Sequence, residues 1–464
     1  MKSAREILFC KKARRFFRPN WLSRSAASLC FFSATLTFAA EQEADRLISS
    51  IDYIREVDRY QNEITDLEEQ YGPYDRALLE PLGGLANVYI ENGILDRANS
   101  ILDRQLQLLH ISEGPDTFSQ ITILQSLIKN NLSVNDLEAV TDNYENLQFI
   151  YSQNPDATVE EKLLAIDDLR NWHHLSFNLD IKRNRINHFI TSRRLLRQML
   201  TIARDEYGEN DPLMIPFLYR EAIEKFHLSA LLLSPDELGY DAGDRIFEPE
   251  QTQPETYLRQ AYEVVKEIRD IVQQSGDKEA DGMAAVYEAD FQMLMGLGLA
   301  QRSYREAMGL FEEAGIDKQQ ITDFFSRPVI LPVTEFYSTM SEAIVAQDAA
   351  GYRYVRGMDG DDPEVYLGNY TGWNESLLNA ALPPAPELLS NFEIELTRAE
   401  MRFRISSRGE TRNPDAESSI PDTVQAKVDS RDALETMVFR PRFRGNRWRM
   451  LRDITMTYWY PPEK

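Results

Sequence analysis

LGGLANVYIENGILDRANSIL, residues 82–102, places Leu82, Leu85, Ala86, Tyr89, Gly93, Ala98 and Leu102 at intervals of 3, 1, 3, 4, 5 and 4. Apolar residues three and four apart share one helix face, and Gly93 interrupts the run before a small residue returns at Ala98. The pattern predicts two helices that approach closely at Ala98, with Leu102 filling the gap toward a neighbouring pair. A second copy stands at Phe291, Leu294, Met295, Gly298, Tyr304, Ala307, Phe311 and Ala314, with Ala307 and Phe311 in the corresponding places. Gly296-Leu297-Gly298-Leu299 is read as small-residue helix packing inside this copy. Turn clusters separate the helical stretches: Tyr71-Gly72-Pro73-Tyr74-Asp75, Glu113-Gly114-Pro115-Asp116 and Tyr207-Gly208-Glu209-Asn210-Asp211-Pro212. Each follows a segment with helical periodicity and reads as a helix stop.

This signature resembles the tetratricopeptide repeat. The resemblance implies a solenoid of helical hairpins, each too thin to bury its own apolar face, with a concave surface for a protein or peptide. Its packing residues are Leu82, Leu85, Ala86, Tyr89, Ala98 and Leu102 in one unit, and Leu294, Gly298, Tyr304, Ala307, Phe311 and Ala314 in the other. Residues 117–151 fit in their first helix (Ile121, Leu124, Ile128) but slip by about two residues in the second. Segments 158–206, 212–234 and 254–275 keep only amphipathic periodicity, so a generic all-helical domain stays open for the middle. The repeat region is expected over 41–330, with a turn-rich acidic loop at 235–253.

The net charge of −24 is unevenly spread. Residues 1–40 hold eight Lys/Arg and one Glu, residues 387–464 are nearly balanced, and 41–386 carry about thirty-two excess acids. So acidic a body disfavours nucleic acid. Basic residues up to Arg24, the apolar and small run from Ser25 to Ala40 and the acidic start at Glu41 have the order of a secretory signal over residues 1–40, too short for a typical membrane span. Export to the periplasm is expected, with an uncleaved inner-membrane anchor as the alternative. Cys10 and Cys30 both fall in that segment, so the remainder has no thiol.

Beyond the segment 331–386, which is read as a connection, the period changes. Ile394 and Leu396, then Ala399, Met401, Phe403 and Ile405, alternate as a strand with one phase slip, as a bulge would give. Arg408-Gly409-Glu410 is a turn, Thr411 to Ser419 a short strand, Val424 to Val438 a helix and Trp448 to Trp459 a last strand. The fold class is therefore mostly α, a helical-hairpin solenoid followed by a small α+β domain of order β-β-α-β over 387–464. That end domain, with Ala433 and Leu434 in its helix and Phe439-Arg440-Pro441-Arg442-Phe443-Arg444-Gly445 before the last strand, resembles the C-terminal domain of TonB. The resemblance implies capture of an extended segment of an envelope protein, such as one of the outer membrane, at a sheet edge. Arg440, Arg442, Arg444, Arg447 and Arg449 with Trp448, Tyr458 and Trp459 form either a partner-binding edge or a strand core edged by solubilising arginines. Energy-coupling members carry a histidine in their anchor and a proline-rich arm; here the first histidine is His110 and the prolines are scattered.

No catalytic constellation stands out. His173 and His174 are adjacent and cannot meet one metal from one helix face, and the sequence has no His-Glu-x-x-His, phosphate loop or nucleophile elbow. Paired acids such as Glu160-Glu161 and Asp167-Asp168 read as solvated faces. The expectation is a non-enzymatic periplasmic adaptor without metal, cofactor or small-molecule substrate. A membrane-anchored TonB-type energy transducer is the alternative.

Overall fold

Gly72, Gly114 and Gly208, the glycines of the repeated turns, have φ of +93°, +100° and +86°. Each stands just past the end of a helix, where only a residue without Cβ turns left-handed at no cost. Asp75 and Asp211 then start the next segment by accepting backbone N–H bonds at Ala77 and Leu213, both at 2.8 Å. These stop and start signals cut a computed structural model into helical hairpins. The model describes residues 52–179, 182–233, 247, 253–355, 364–371, 396–444 and 447–460. The N-terminal segment 1–40 and nearly all of the loop 235–253 lie outside the described residues.

The helices are α1 (52–71), α2 (Leu79–Glu91), α3 (Leu95–Glu113), α4 (Ile121–Ser133), α5 (Leu137–Gln153), α6 (Val159–Leu179), α7 (Lys182–Tyr207), α8 (Ile215–Leu233), α9 (Pro254–Ser275), α10 (Lys278–Leu294), α11 (Ala300–Glu313), α12 (Lys318–Ser326), α13 (Met340–Ala349) and α14 (Val424–Thr436). The chain divides into two compact units, residues 1–101 and 102–464. In the first, Leu82, Leu85, Ala86, Tyr89 and Ala98 are buried. Gly84 is a required glycine there, since a Cβ would lie 2.4 Å from the Tyr60 ring.

In the second unit α4/α5, α6/α7, α8/α9 and α10/α11 pair as hairpins. One apolar core runs from Leu124 of α4 to Ala343 of α13. The weak middle segments are therefore hairpins too, in a TPR-like solenoid. In the last hairpin Tyr304, Ala307 and Phe311 are fully buried. The close approach is made by a residue the pattern did not single out: a Cβ on Gly282 would meet the Phe311 ring at 2.5 Å. Three signature positions behave differently. Leu294 is half-buried at the end of α10, Ala314 is exposed past the end of α11, and Gly298 is in the turn between them. Gly296-Leu297-Gly298-Leu299 is thus a turn and not helix packing, because Gly296 at φ +67° ends α10.

The strands are β1 (Val329–Leu331), β2 (Arg353–Val355), β3 (Glu364–Thr371), β4 (Thr397–Ile405), β5 (Thr411–Ile420), β6 (Val438–Arg440), β7 (Arg442–Arg444), β8 (Arg447–Arg449) and β9 (Leu451–Tyr460). The β4-β5-α14-β9 order follows the sequence pattern, but the register shifts of β4 fall between Glu400 and Ile405 and not at the phase slip between Leu396 and Ala399. The main sheet has the order β2-β3-β9-β4-β5. β2 and β3, from the stretch read as a connection, extend it, and β3 lies parallel to β9. α14 covers one face, with Ala433, Leu434 and Met437 in the sheet's core beside Met401, Phe403 and Ile454. Gly409 lets the β4–β5 turn close against β6, since a Cβ there would lie 2.1 Å from the Phe439 carbonyl oxygen. β1, directly after α12, pairs antiparallel with β6 and ties the sheet module to the end of the solenoid.

Candidate functional site

The arginine-rich segment after α14 does not line an open edge. Arg440, at the end of β6, is 3% exposed and forms a two-pronged ion pair with Asp290 of α10, its Nε donating at 2.9 Å. The Tyr304 hydroxyl donates to the same carboxylate at 2.6 Å. Burial by itself would lower the Arg440 guanidinium, but the Asp290 carboxylate reverses this and holds it above its ordinary value. Burial and then the Asp290 charge push the Tyr304 phenol well above its own. β7 and β8 form a small hairpin behind this pair. Its Phe443 and Trp448 enter the solenoid's core, and the Trp448 ring lies 5.1 Å from that of Tyr304.

Of the residues expected at a partner-binding edge, Arg440, Arg442, Trp448 and Tyr458 are buried, Trp459 is half-buried, and Arg447 and Arg449 are exposed. The Arg444 side chain lies outside the described residues. The structure does not bring the seven described ones together. Alternation along β6–β8 turns successive side chains opposite ways, and the inward set meets α10–α12. β9 lies between β3 and β4, so the last strand is not an edge. Among the described residues the edges are β2 and β5, and β5 is interrupted by Pro414 beside Asn413 at φ +49°.

The first helices of the last two hairpins hold a piece of the chain itself, residues 333–337, which bends at 334–335. The hydroxyls of Tyr219 on α8 and Tyr287 on α10 donate to the carbonyls of Val333 and Glu335 at 2.5 and 2.8 Å. The Tyr337 N–H donates back to Tyr287 at 2.9 Å. The Phe336 ring lies against both tyrosines, with centroids 4.8 Å from Tyr287 and 5.9 Å from Tyr219. Farther toward the N-terminus, α6 carries an exposed stripe of Glu161, Leu164, Asp168 and Asn171, and α4 one of Thr122, Gln125 and Lys129.

A second polar cluster was not legible as a group. His173 and His174 project from α6 to different neighbours. His173 Nδ1 lies 2.9 Å from His188 Nδ1 on α7, and the His174 ring lies 5.9 Å from that of His227 on α8. Beside them Arg170 is buried, held by Asp167 of its own helix at 3.4 Å. Arg220 of α8 reaches Asp167 at 2.8 Å, and Arg193 of α7 reaches Glu224 of α8 at 3.1 Å. Burial, then His188 and Arg194, lowers His173 to about 4; burial, then Arg170, lowers His227 to about 4; His174 is also driven well down. Burial raises the Glu224 carboxyl despite Arg193 and Arg170. Arg170 Nε, His173 Nε2, Ser176 Oγ, Ser192 Oγ, Glu224 Oε2 and His227 Nδ1 are buried without a hydrogen-bond partner. Among the described residues no group of three or more His, Cys, Asp or Glu is arranged to hold a metal. No described helix is long and apolar enough to cross a membrane.

No family model matches the sequence and no curated protein matches it. Among solved structures, the chain is similar to a Podosopora anserina putative kinesin light chain with nearly identical TPR-like repeats. That likeness has 13% identity and a TM-score of 0.26, over 52% of this chain and 96% of that one. It is also similar to BtubC from P. vanneervenii, at 14% identity and a TM-score of 0.26 over 57% and 89% of the two chains. Likenesses at this distance carry no argument about function, and the architecture rests on the hairpins described above.

Proposed function

We propose that this protein is a non-enzymatic adaptor of the bacterial periplasm, exported by its N-terminal segment, whose helical hairpins hold an extended stretch of a partner protein. The observation that supports this reading most is Val333–Tyr337 held on α8 and α10. Two tyrosine hydroxyls grip its main chain and an aromatic side chain is packed between their rings, which is how a helical groove reads a peptide without demanding one sequence. The stripes on α4 and α6 offer further surface, and the acidic body favours a basic partner. The sheet module is proposed to take an extended envelope segment by strand addition. With β9 enclosed, that addition would use β5 beyond Pro414, residues 415–420.

Photo-crosslinking residues placed in cells at Leu164 and at Ser418 test both surfaces, with exposed Thr201 on α7 as the control. The reading expects one discrete partner at Leu164 and an envelope protein at Ser418. Equal labelling at Thr201 would sink it. Mass spectrometry of the envelope fractions tests the location. A start near Glu41 in the soluble periplasm agrees with an adaptor, whereas an intact Met1 in the inner membrane would favour an anchored transducer.

A further inference from the structure

We propose that Arg442, at the start of β7, binds a carboxylate supplied by another molecule. With Arg449 and Tyr354 it forms a site for an Asp or Glu side chain of an acidic peptide segment. Among the described residues three arginines are buried, Arg170, Arg440 and Arg442. Arg170 meets Asp167, and Arg440 meets Asp290. Arg442, 7% exposed, meets no described carboxylate. Its Nε is buried without a hydrogen-bond partner, and its Nη2 reaches only the Tyr354 hydroxyl of β2, at 3.5 Å. A guanidinium taken out of water without a counter-ion is costly. This one stands so in a chain with 75 acidic residues.

Two residues earlier the same donor set is filled. Arg440 grips Asp290 through Nε and Nη2, the edge of the guanidinium whose two parallel N–H groups match a carboxylate, and the Tyr304 hydroxyl donates to the same acid. Arg442 has that same edge beside a tyrosine hydroxyl, with Nε unused and Nη2 loosely held, and lacks only the acid. The hairpin adds a second cation. Phe443 and Trp448 enter the solenoid's core, so alternation puts Arg442 and its cross-strand partner Arg449 on the opposite face. Like charges directly opposite each other repel, and one carboxylate between them relieves both. The nearby acid Asp348 is already taken by Arg327 at 2.7 Å, and the Arg327 guanidinium lies 4.6 Å over the Tyr352 ring.

Tyr354 is 45% exposed, and its ring centroid lies 5.8 Å from the Arg442 guanidinium carbon. It is the exposed side chain against the buried cation, so it is the one an incoming acid moves, and its hydroxyl is then placed to donate as Tyr304 does. The site is apart from the α4 and α6 stripes and from β5, and it stands or falls independently of the adaptor reading.

Fluorescence anisotropy on the full chain tests the site with two labelled, acetylated and amidated peptides, Thr-Glu-Thr-Glu-Thr-Glu and its counterpart with Gln for every Glu. At low salt the acidic peptide should bind at least about tenfold tighter. Arg442→Lys, which keeps the charge and removes the fork, should lose about tenfold, and Arg449→Gln about threefold. Arg305→Gln, exposed on α11, should change nothing. Without ligand, Arg442→Met should leave the urea midpoint unchanged or raise it, since it removes an unpaired buried charge, the opposite of Arg440→Met. Equal binding of the two peptides, no binding of either, or indifference to Arg442→Lys would overturn the site. So would a urea midpoint that Arg442→Met lowers as far as Arg440→Met does. Binding that arises only with Asp359→Asn, Asp361→Asn and Asp362→Asn together would also overturn it, because the chain's own acids would then be the occupant. A phosphoserine version of the peptide that binds more than about tenfold tighter than the Glu peptide would make this a phosphate site and overturn the assignment to a carboxylate.

Discussion

Asp290 and the cluster of His173, His174 and His227 are buried polar sites in the same solenoid, yet the first is held by a paired charge and the second by groups whose charged form burial disfavours. At Asp290 the carboxylate meets both prongs of Arg440 and the Tyr304 hydroxyl, so the charge is paired and its oxygens are used. At the α6–α8 junction the buried Arg170 leans on a carboxylate it shares with Arg220, and several polar atoms around it lack partners. Burial is offset in the first case by complementary charge, while in the second it pushes His173, His174 and His227 toward their neutral form. The first site fastens the sheet module to α10.

That contrast can be broken most sharply at the ion pair. Arg440→Met leaves Asp290 charged and buried, with an expected loss of about 3–5 kcal/mol in urea unfolding, and adding Asp290→Leu should return most of it. If the two single losses simply add in the double variant, the pair is not the unit described. Next comes acid: the variant-free chain should lose stability from pH 6.5 toward 4, by about 2 kcal/mol at pH 5 for each of His173 and His227 exposed on unfolding. Their folded-state values are depressed, so the unfolded chain takes up more protons throughout this window.

A smaller effect separates the junction's neutral contacts from its titrating ones. Thr141→Val removes the acceptor of the Trp172 N–H at 2.8 Å and should cost about 1 kcal/mol at every pH from 5 to 8. A cost that grew with acidity would place Thr141 in the histidine cluster. Smallest of all, Arg402 on β4 pairs with Glu417 in the open, and Arg402→Ala should change stability by less than about 1 kcal/mol, further reduced by salt.

Much of this architecture was legible because it follows from local chemistry. The spacing of Leu82, Leu85, Ala86 and Tyr89, the left-handed glycines after helices and the strand alternation from Ala399 to Ile405 each act over a few residues. The sites were harder. Arg440 and Arg447 look alike in a run of six arginines, and only the stacking of β6–β8 on α10–α12 buries one and exposes the other. His173 stands six residues before the end of α6 and His188 six after the start of α7, so a hairpin of the two helices sets them opposite each other. His227 offers no such clue, since it arrives from the next hairpin. The short β3, whose apolar members are few, is recognisable as a strand chiefly because β9 provides its ladder.

The sequence alone determined the helical repeat, its turns, the acidic body and the β-β-α-β order, because periodicity and turn chemistry are written within a helix or strand length. The tertiary structure decided which small residue takes Phe311, which arginine becomes an internal counterion, which strand edge stays open and that four histidines share one seam. Those outcomes depend on residues far apart in the chain, Asp290 with Arg440 and Tyr219 with Val333, whose burial and pairing exist only once the hairpins have stacked.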